Sequence, residues 1–206
     1  MGRARTTIIV VASAAAVTLG VVATTAVASA GGGNSRTTLR DASGKDVGTV
    51  EIAKRGSFTE VRARLHFDPG TVATETFHGF HIHANGDPAN GSGCLADPTK
   101  EPATWFTAVD GHWKAADQEH AAHHGDLVSL YVTADGRSEA RFVTGRIDRS
   151  AIAGKAIVIH AGPDNFGNVP VGATPTQYTA NSADAVTATK NTGNAGARVA
   201  CGVIGG

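Results

Sequence analysis

The stretch Phe58-Thr-Glu-Val-Arg-Ala-Arg-Leu-His-Phe67 alternates apolar and polar residues. In an extended chain Val61, Ala63, Leu65 and Phe67 share one side, and Glu60, Arg62, Arg64 and His66 share the other. That period of two is the signature of a half-buried strand. Working outward, further short runs of this kind occupy 37–40, 47–53, 77–83, 126–133, 139–145, 155–161 and 198–204. Turn residues separate them: Asp41-Ala42-Ser43-Gly44, Asp68-Pro69-Gly70 and Ala134-Asp135-Gly136. Eight short strands with this punctuation predict an all-β domain, an eight-stranded Greek-key β-sandwich or flattened barrel. No amphipathic helix of roughly 10–15 residues is expected between the strands, which argues against α/β architecture. At most one short helical turn fits 148–153. Two connections, 84–125 and 162–197, do not read as strands, and loops of that length in a compact domain are usually functional.

Composition narrows the function. The chain has 206 residues and 18 Lys+Arg against 18 Asp+Glu. The length suits one domain with an appendage, and zero net charge argues against a general nucleic-acid binder, which needs a basic stripe. Two Cys cannot build a disulfide-rich miniprotein or a four-Cys zinc site. Cys94 and Cys201 are the only candidates for a disulfide, with two free buried thiols as the alternative.

The first thirty residues stand apart. Arg3 and Arg5 precede an uncharged apolar run, and Ala28-Ser29-Ala30 offers a small-residue cleavage site. This is the pattern of a secretory signal peptide, with an uncleaved membrane anchor as the competing reading. The division expected is 1–30 signal, 31–36 linker and 37–206 domain. Cleavage would take the net charge from 0 to −2. It would also place the domain outside the cytoplasm, where disulfides persist, with no stable membrane association.

Histidine is the unevenly placed residue. All nine lie between His66 and His160, and four fall between His112 and His124. In Phe80-His81-Ile82-His83 the strand period puts both imidazoles on one face, half of a nitrogen-rich metal site. The segment from His112 to Asp126 adds His120, His123, His124 and a carboxylate, and three His with one Asp make a complete structural zinc set. A solvated, His-rich loop is the plainer alternative. His160 ends the apolar run Ala156-Ile-Val-Ile159, where an unpaired buried imidazole would be costly.

Taken in order, these pieces resemble a known family. They are Thr38-Leu-Arg-Asp41, Gly48-Thr-Val50, His78-Gly-Phe-His-Ile-His83, His123-His-Gly-Asp-Leu127, Val158-Ile-His160 with Asp164, and Thr192-Gly-Asn-Ala-Gly-Ala-Arg-Val-Ala-Cys-Gly-Val-Ile204. The series is similar to the copper/zinc superoxide dismutases of the exported bacterial kind. The resemblance implies copper ligands His81, His83, His112 and His160. It implies zinc ligands His112, His120, His123 and Asp126, with His112 shared between the metals. It further implies Asp164 as the carboxylate linking His81 to His120, Arg198 as the arginine that docks the superoxide anion, and Thr192 as a channel residue. His112 and Arg198 are the residues it makes catalytic. A copper-only dismutase and a non-enzymatic copper-binding or copper-delivery module are the alternatives. Either a monomer or a homodimer is compatible with it.

The sequence departs from the family pattern in places. Only Ala121-Ala122 separates two zinc ligands, and Trp113-Lys114-Ala115 stands where an aromatic-Asn-Pro is common. The family's steering lysine falls at Asn191, with Lys190 one residue early. The insertion 95–111 contains Trp105-Phe106, suited to covering a disulfide or forming a contact surface. His66, His78 and His124 are read as ordinary polar or packing residues.

Overall fold

The computed structural model describes residues 34–166 and 183–205. The stretch read as a signal peptide, 1–30, lies outside them. Nine strands form: β1 (Ser35–Asp41), β2 (Asp46–Arg55), β3 (Phe58–His66), β4 (Thr76–His78), β5 (Phe80–His83), β6 (Leu130–Val132), β7 (Arg137–Thr144), β8 (Ala156–His160) and β9 (Arg198–Val203). Seven of them make one curled antiparallel sheet in the order β5-β8-β9-β1-β2-β3-β7, and β4 pairs with β6 in a separate ribbon. β1 begins at Ser35 and so takes up the last two residues of the stretch read as linker.

The alternating face of β3 behaves as its sequence dictates. Val61, Ala63, Leu65 and Phe67 are buried, packed with Leu39, Val50, Ile52, Phe80, Ile82, Leu130, Ile157 and Ile159. A fully buried aliphatic or Phe side chain of this size contributes roughly 1.5–3 kcal/mol. Exposed ion pairs on the other face, such as Arg36–Glu51 and Arg40–Asp46, contribute about 0–1 kcal/mol each. The inner face therefore holds the sheet together. One outward residue departs from expectation. Glu60 is buried, because the register sets Arg62 beside it on β3 and Arg141 on β7, and their guanidinium groups close over its carboxylate at 2.5 and 2.8 Å.

Three expectations need correction. The described residues form nine strands rather than eight, because the run 77–83 breaks at Gly79. A Cβ there would lie 2.8 Å from Ala195 Cβ and 3.0 Å from Asp164 Oδ1, and the Gly79 amide leaves the strand to donate to Gly162 O. Second, the strand expected over 126–133 keeps only Leu130–Val132, since Asp126 and Ser129 turn toward the histidine cluster. Third, the connection 162–197 contains a helix, α1 (Ala183–Thr192). Its sequence ADAVTATKNT has no apolar stripe to announce it. It stops at Gly193, which adopts φ 59° and donates its amide to Thr189 O. The short helical turn expected over 148–153 is present as a 3₁₀ turn, Arg149–Ala151, with Asp148 Oδ1 accepting from the Ser150 amide.

Cys94 and Cys201 form a disulfide across 107 residues of chain, which removes the free-thiol alternative. It ties the first long connection to β9. A small second core of Phe106, Val109, Ala156 and Val158 surrounds it, so the insertion 95–111 covers the disulfide and Trp105 packs at its edge.

Candidate metal centre

The first long connection folds back onto β5 and is stitched to it by main-chain bonds. Ile82 N donates to Gly125 O, Trp113 N donates to Ile82 O, and Gly125 N donates to Trp113 O. Isolated bridges pair His81 with Asp126 and His83 with His112. Gly125 is required here, because a Cβ would sit 2.1 Å from Ile82 O. This stitching brings the two histidine clusters of the sequence into one buried place.

Four imidazoles converge first. His83 Nδ1 donates to Asp110 O at 2.8 Å and His160 Nδ1 donates to Gly196 O at 3.0 Å, and their Nε2 atoms stand 3.3 Å apart. His81 Nε2 donates to Asp164 Oδ1 at 2.8 Å, which leaves His81 Nδ1 buried without a hydrogen-bond partner; His112 Nε2 is in the same state. The ligand-capable atoms of His81, His83, His112 and His160 all lie within 4.8 Å of one another. Burial, reinforced by the neighbouring imidazoles, pushes His83 and His160 well below the ordinary histidine range. Burial also lowers His112 to about 4, against the opposing pull of Asp126. At neutral pH these rings carry lone pairs rather than protons toward the shared space. A set of four imidazole nitrogens suits a copper ion.

A second group adjoins the first through His112. Its Nδ1 lies 2.8 Å from Asp126 Oδ1 and 3.3 Å from His123 Nδ1, and His123 Nδ1 lies 3.2 Å from the same carboxylate oxygen. Asp126 Oδ2 accepts from the His123 amide at 3.0 Å, which fixes the carboxylate. His112, His123 and Asp126 thus bring their ligand atoms together. His120 falls into a neighbouring group with His81 and Asp126, and its Nε2 lies 3.4 Å from Asp164 Oδ1. Three imidazoles and one carboxylate fit zinc. The two nitrogens of His112 point into different groups, which is the arrangement a shared ligand needs.

Asp164 stands behind both groups. Its Oδ1 faces His81 and His120, and its Oδ2 accepts from Ser129 Oγ at 3.0 Å. Burial works to raise its pKa, but the hydrogen bonds with His120 and His81 outweigh that and hold the carboxyl far below the ordinary range. Carboxylates placed so fix ring orientation and the basicity of the far nitrogen.

Arg198 opens β9, and the β8–β9 register slips between Ile159 and His160 so that His160 pairs with Arg198. The half-buried guanidinium donates to Phe106 O and Asp110 O. α1 braces the other side. Lys190 O accepts from the His120 amide, Lys190 Nζ pairs with Glu119 at 2.8 Å, and Gly193 packs on the His120 ring so closely that a Cβ would approach Cε1 to 2.4 Å. Thr192 directs its hydroxyl to Ala188 O within its own helix. His124 is held against Trp113, ring centroids 5.1 Å apart. His78 lies buried between His160 O and Ala73 O, and His66 is exposed. Sequence reading missed Ser129 and Asp110; an Asp-Gly pair just before His112 was the one signal for the latter.

Comparison with known proteins agrees with this geometry. The family model described as copper/zinc superoxide dismutase matches residues 47–204. A protein named superoxide dismutase [Cu-Zn] from Mycolicibacterium paratuberculosis is 34% identical over 172 residues, 82% of this chain and 73% of its own. One of the same name from Photobacterium leiognathi is 32% identical over 173 residues, 79% of this chain and 80% of its own. The solved structure of a Cu/Zn superoxide dismutase from Brucella abortus shares the fold with a TM-score of 0.57 at 24% identity, covering 83% of this chain and 99% of that one. With 158 consecutive positions under one model and the ligand-type residues gathered in its fold, the chain belongs to the copper/zinc superoxide dismutase family.

Proposed function

We propose that this protein is an exported antioxidant enzyme that converts superoxide to oxygen and hydrogen peroxide. His81, His83, His112 and His160 would hold copper; His112, His120, His123 and Asp126 would hold zinc. Copper, when bound, supplies a one-electron couple, and zinc a charge that does not change. Two superoxide anions and two protons give one oxygen and one peroxide, so the chain's own groups must handle charge and protons. Arg198 offers the entering anion a permanent cation with a fork of donors, already oriented by two carbonyls. His112 Nε2, buried and without a hydrogen-bond partner, is the atom at which one proton for peroxide is held; water supplies the other. His83 and His160 keep their rings fixed through Nδ1, so the site need not reorganise between turnovers. Thr192 is assigned to the channel wall.

The observation that carries this reading is four buried imidazoles converging beside a pinned guanidinium, with burial holding His83, His112 and His160 neutral. A copper carrier has no use for the guanidinium. The disulfide and the bacterial relatives support export, with residues 1–30 as the signal and an uncleaved anchor as the alternative. The protein acts on a small anion, without nucleic acid, as a monomer or homodimer. Superoxide decay after pulse radiolysis, followed with copper- and zinc-loaded protein, tests the proposal. Catalysis first order in superoxide is expected, and no acceleration with copper bound would leave a copper carrier.

A further inference from the structure

Asp110 occupies a backbone conformation that side chains avoid, φ 63° and ψ −159°. Such a conformation persists only where the surroundings over-determine it. Here the residue's own carboxylate does so. Oδ2 accepts from the amides of Gly86 at 2.6 Å and Asp87 at 2.9 Å, and Oδ1 accepts from Asn90 Nδ2 at 2.9 Å. The Asp110 amide donates to Thr107 O at 3.1 Å, and the Asn85 amide donates to Val109 O at 3.0 Å. The peptide is thus clamped between the turn that follows β5 and the insertion before His112.

The carbonyl that this clamp fixes has two partners. It accepts from His83 Nδ1 at 2.8 Å and from Arg198 Nη2. No neighbouring carbonyl serves both groups: Gly196 O receives His160, and Phe106 O receives Arg198 together with the Val109 amide. One peptide oxygen therefore sets both the ring orientation of His83 and the reach of the guanidinium.

We propose that Asp110 is a positioning residue, whose carboxylate, latched to the Gly86–Asn90 turn, fixes the carbonyl that orients His83 and Arg198 together. This rests on the dismutase reading for its consequence and on geometry alone for the latch. Asp110→Gly tests it well, since glycine suits the backbone angle and removes only the latch. Asp110→Asn, which keeps an oxygen for the Gly86 and Asp87 amides, is the conservative counterpart.

Three readouts apply. In copper-free protein, proton NMR follows exchange of the His83 and His160 Nδ1–H groups. Asp110→Gly is expected to speed His83 exchange about 10-fold and leave His160 unchanged, while Asp110→Asn restores His83, consistent with the loss of one well-made hydrogen bond. In copper-loaded protein, azide affinity read from its visible absorption is expected to weaken by about 3- to 10-fold in Asp110→Gly, because Arg198 is released. The superoxide rate constant should fall by a similar factor at unchanged copper content. Unchanged His83 exchange and unchanged azide affinity in Asp110→Gly would overturn the proposal. So would equal loss of protection at His83 and His160, which would mark a general loosening of the fold. Failure of the dismutase reading is separable: copper-loaded wild type would then show no catalysis, while the NMR comparison would still report on the latch.

Discussion

His83 Nε2 and His160 Nε2 face each other at 3.3 Å in a buried space, and each ring has already committed its Nδ1 proton to a backbone carbonyl. Burial keeps both rings neutral at pH 7. Two lone pairs aimed at one point repel each other and attract a cation. Main-chain acceptors therefore fix both rings with their Nε2 atoms turned to one place.

From this pairing, copper should stabilise the fold. A ligand held at 100 times its Kd adds about 2.7 kcal/mol. Thermal unfolding of metal-stripped protein with and without Cu(II) is expected to show a clear rise in Tm, and His160→Ala should lose most of it. An equal rise in His160→Ala would place copper elsewhere.

His123 and His124 are adjacent in sequence but separate in duty. His123 Nδ1 sits 3.2 Å from Asp126, whereas His124 lies against Trp113. Elemental analysis after dialysis should find zinc retention lowered more than about 10-fold in His123→Ala, and close to wild type in His124→Ala. The reverse pattern would reassign the ligand.

Arg198 should act on encounter with the anion. Arg198→Ile is expected to slow superoxide turnover by about 10- to 100-fold at low salt and to flatten the dependence on ionic strength. Stopped-flow kinetics at several salt concentrations measures both. An unchanged salt slope would remove Arg198 from steering.

Glu60 gives a pH test far from the site. Hydrogen bonding and charge from Arg141, helped by Arg62, lower its carboxyl from 4.5 to about 2 against the cost of burial. A carboxyl depressed in the folded state stabilises fully above its unfolded pKa and progressively less as pH falls toward the folded value. Wild-type stability should therefore lose this contribution between about pH 4.5 and 2. In Glu60→Gln that share of the decline should be missing. Urea unfolding at pH 6, 4 and 3 compares the two, and parallel curves would count against the coupling.

Much of this was legible in the sequence because side-chain identity carried it. The inner face of β3 follows from its alternation, and the histidine spacing from His81 to Asp126 marks the site. What escaped notice rests on backbone groups. Asp110 O, Gly196 O and Lys190 O perform their roles through atoms every residue possesses. α1 escaped because it docks through its main chain, a buried Thr189 and Gly193 rather than an apolar stripe. The burial of Glu60 depends on the β3–β7 register, which no single strand records.

The proposal that His112 is shared between copper and zinc is tested most directly by metal content measured together with activity on one preparation. Quantifying copper and zinc per chain alongside superoxide turnover should give one of each, with turnover proportional to copper. Full activity with zinc near zero, or none with copper at one per chain, would contradict it.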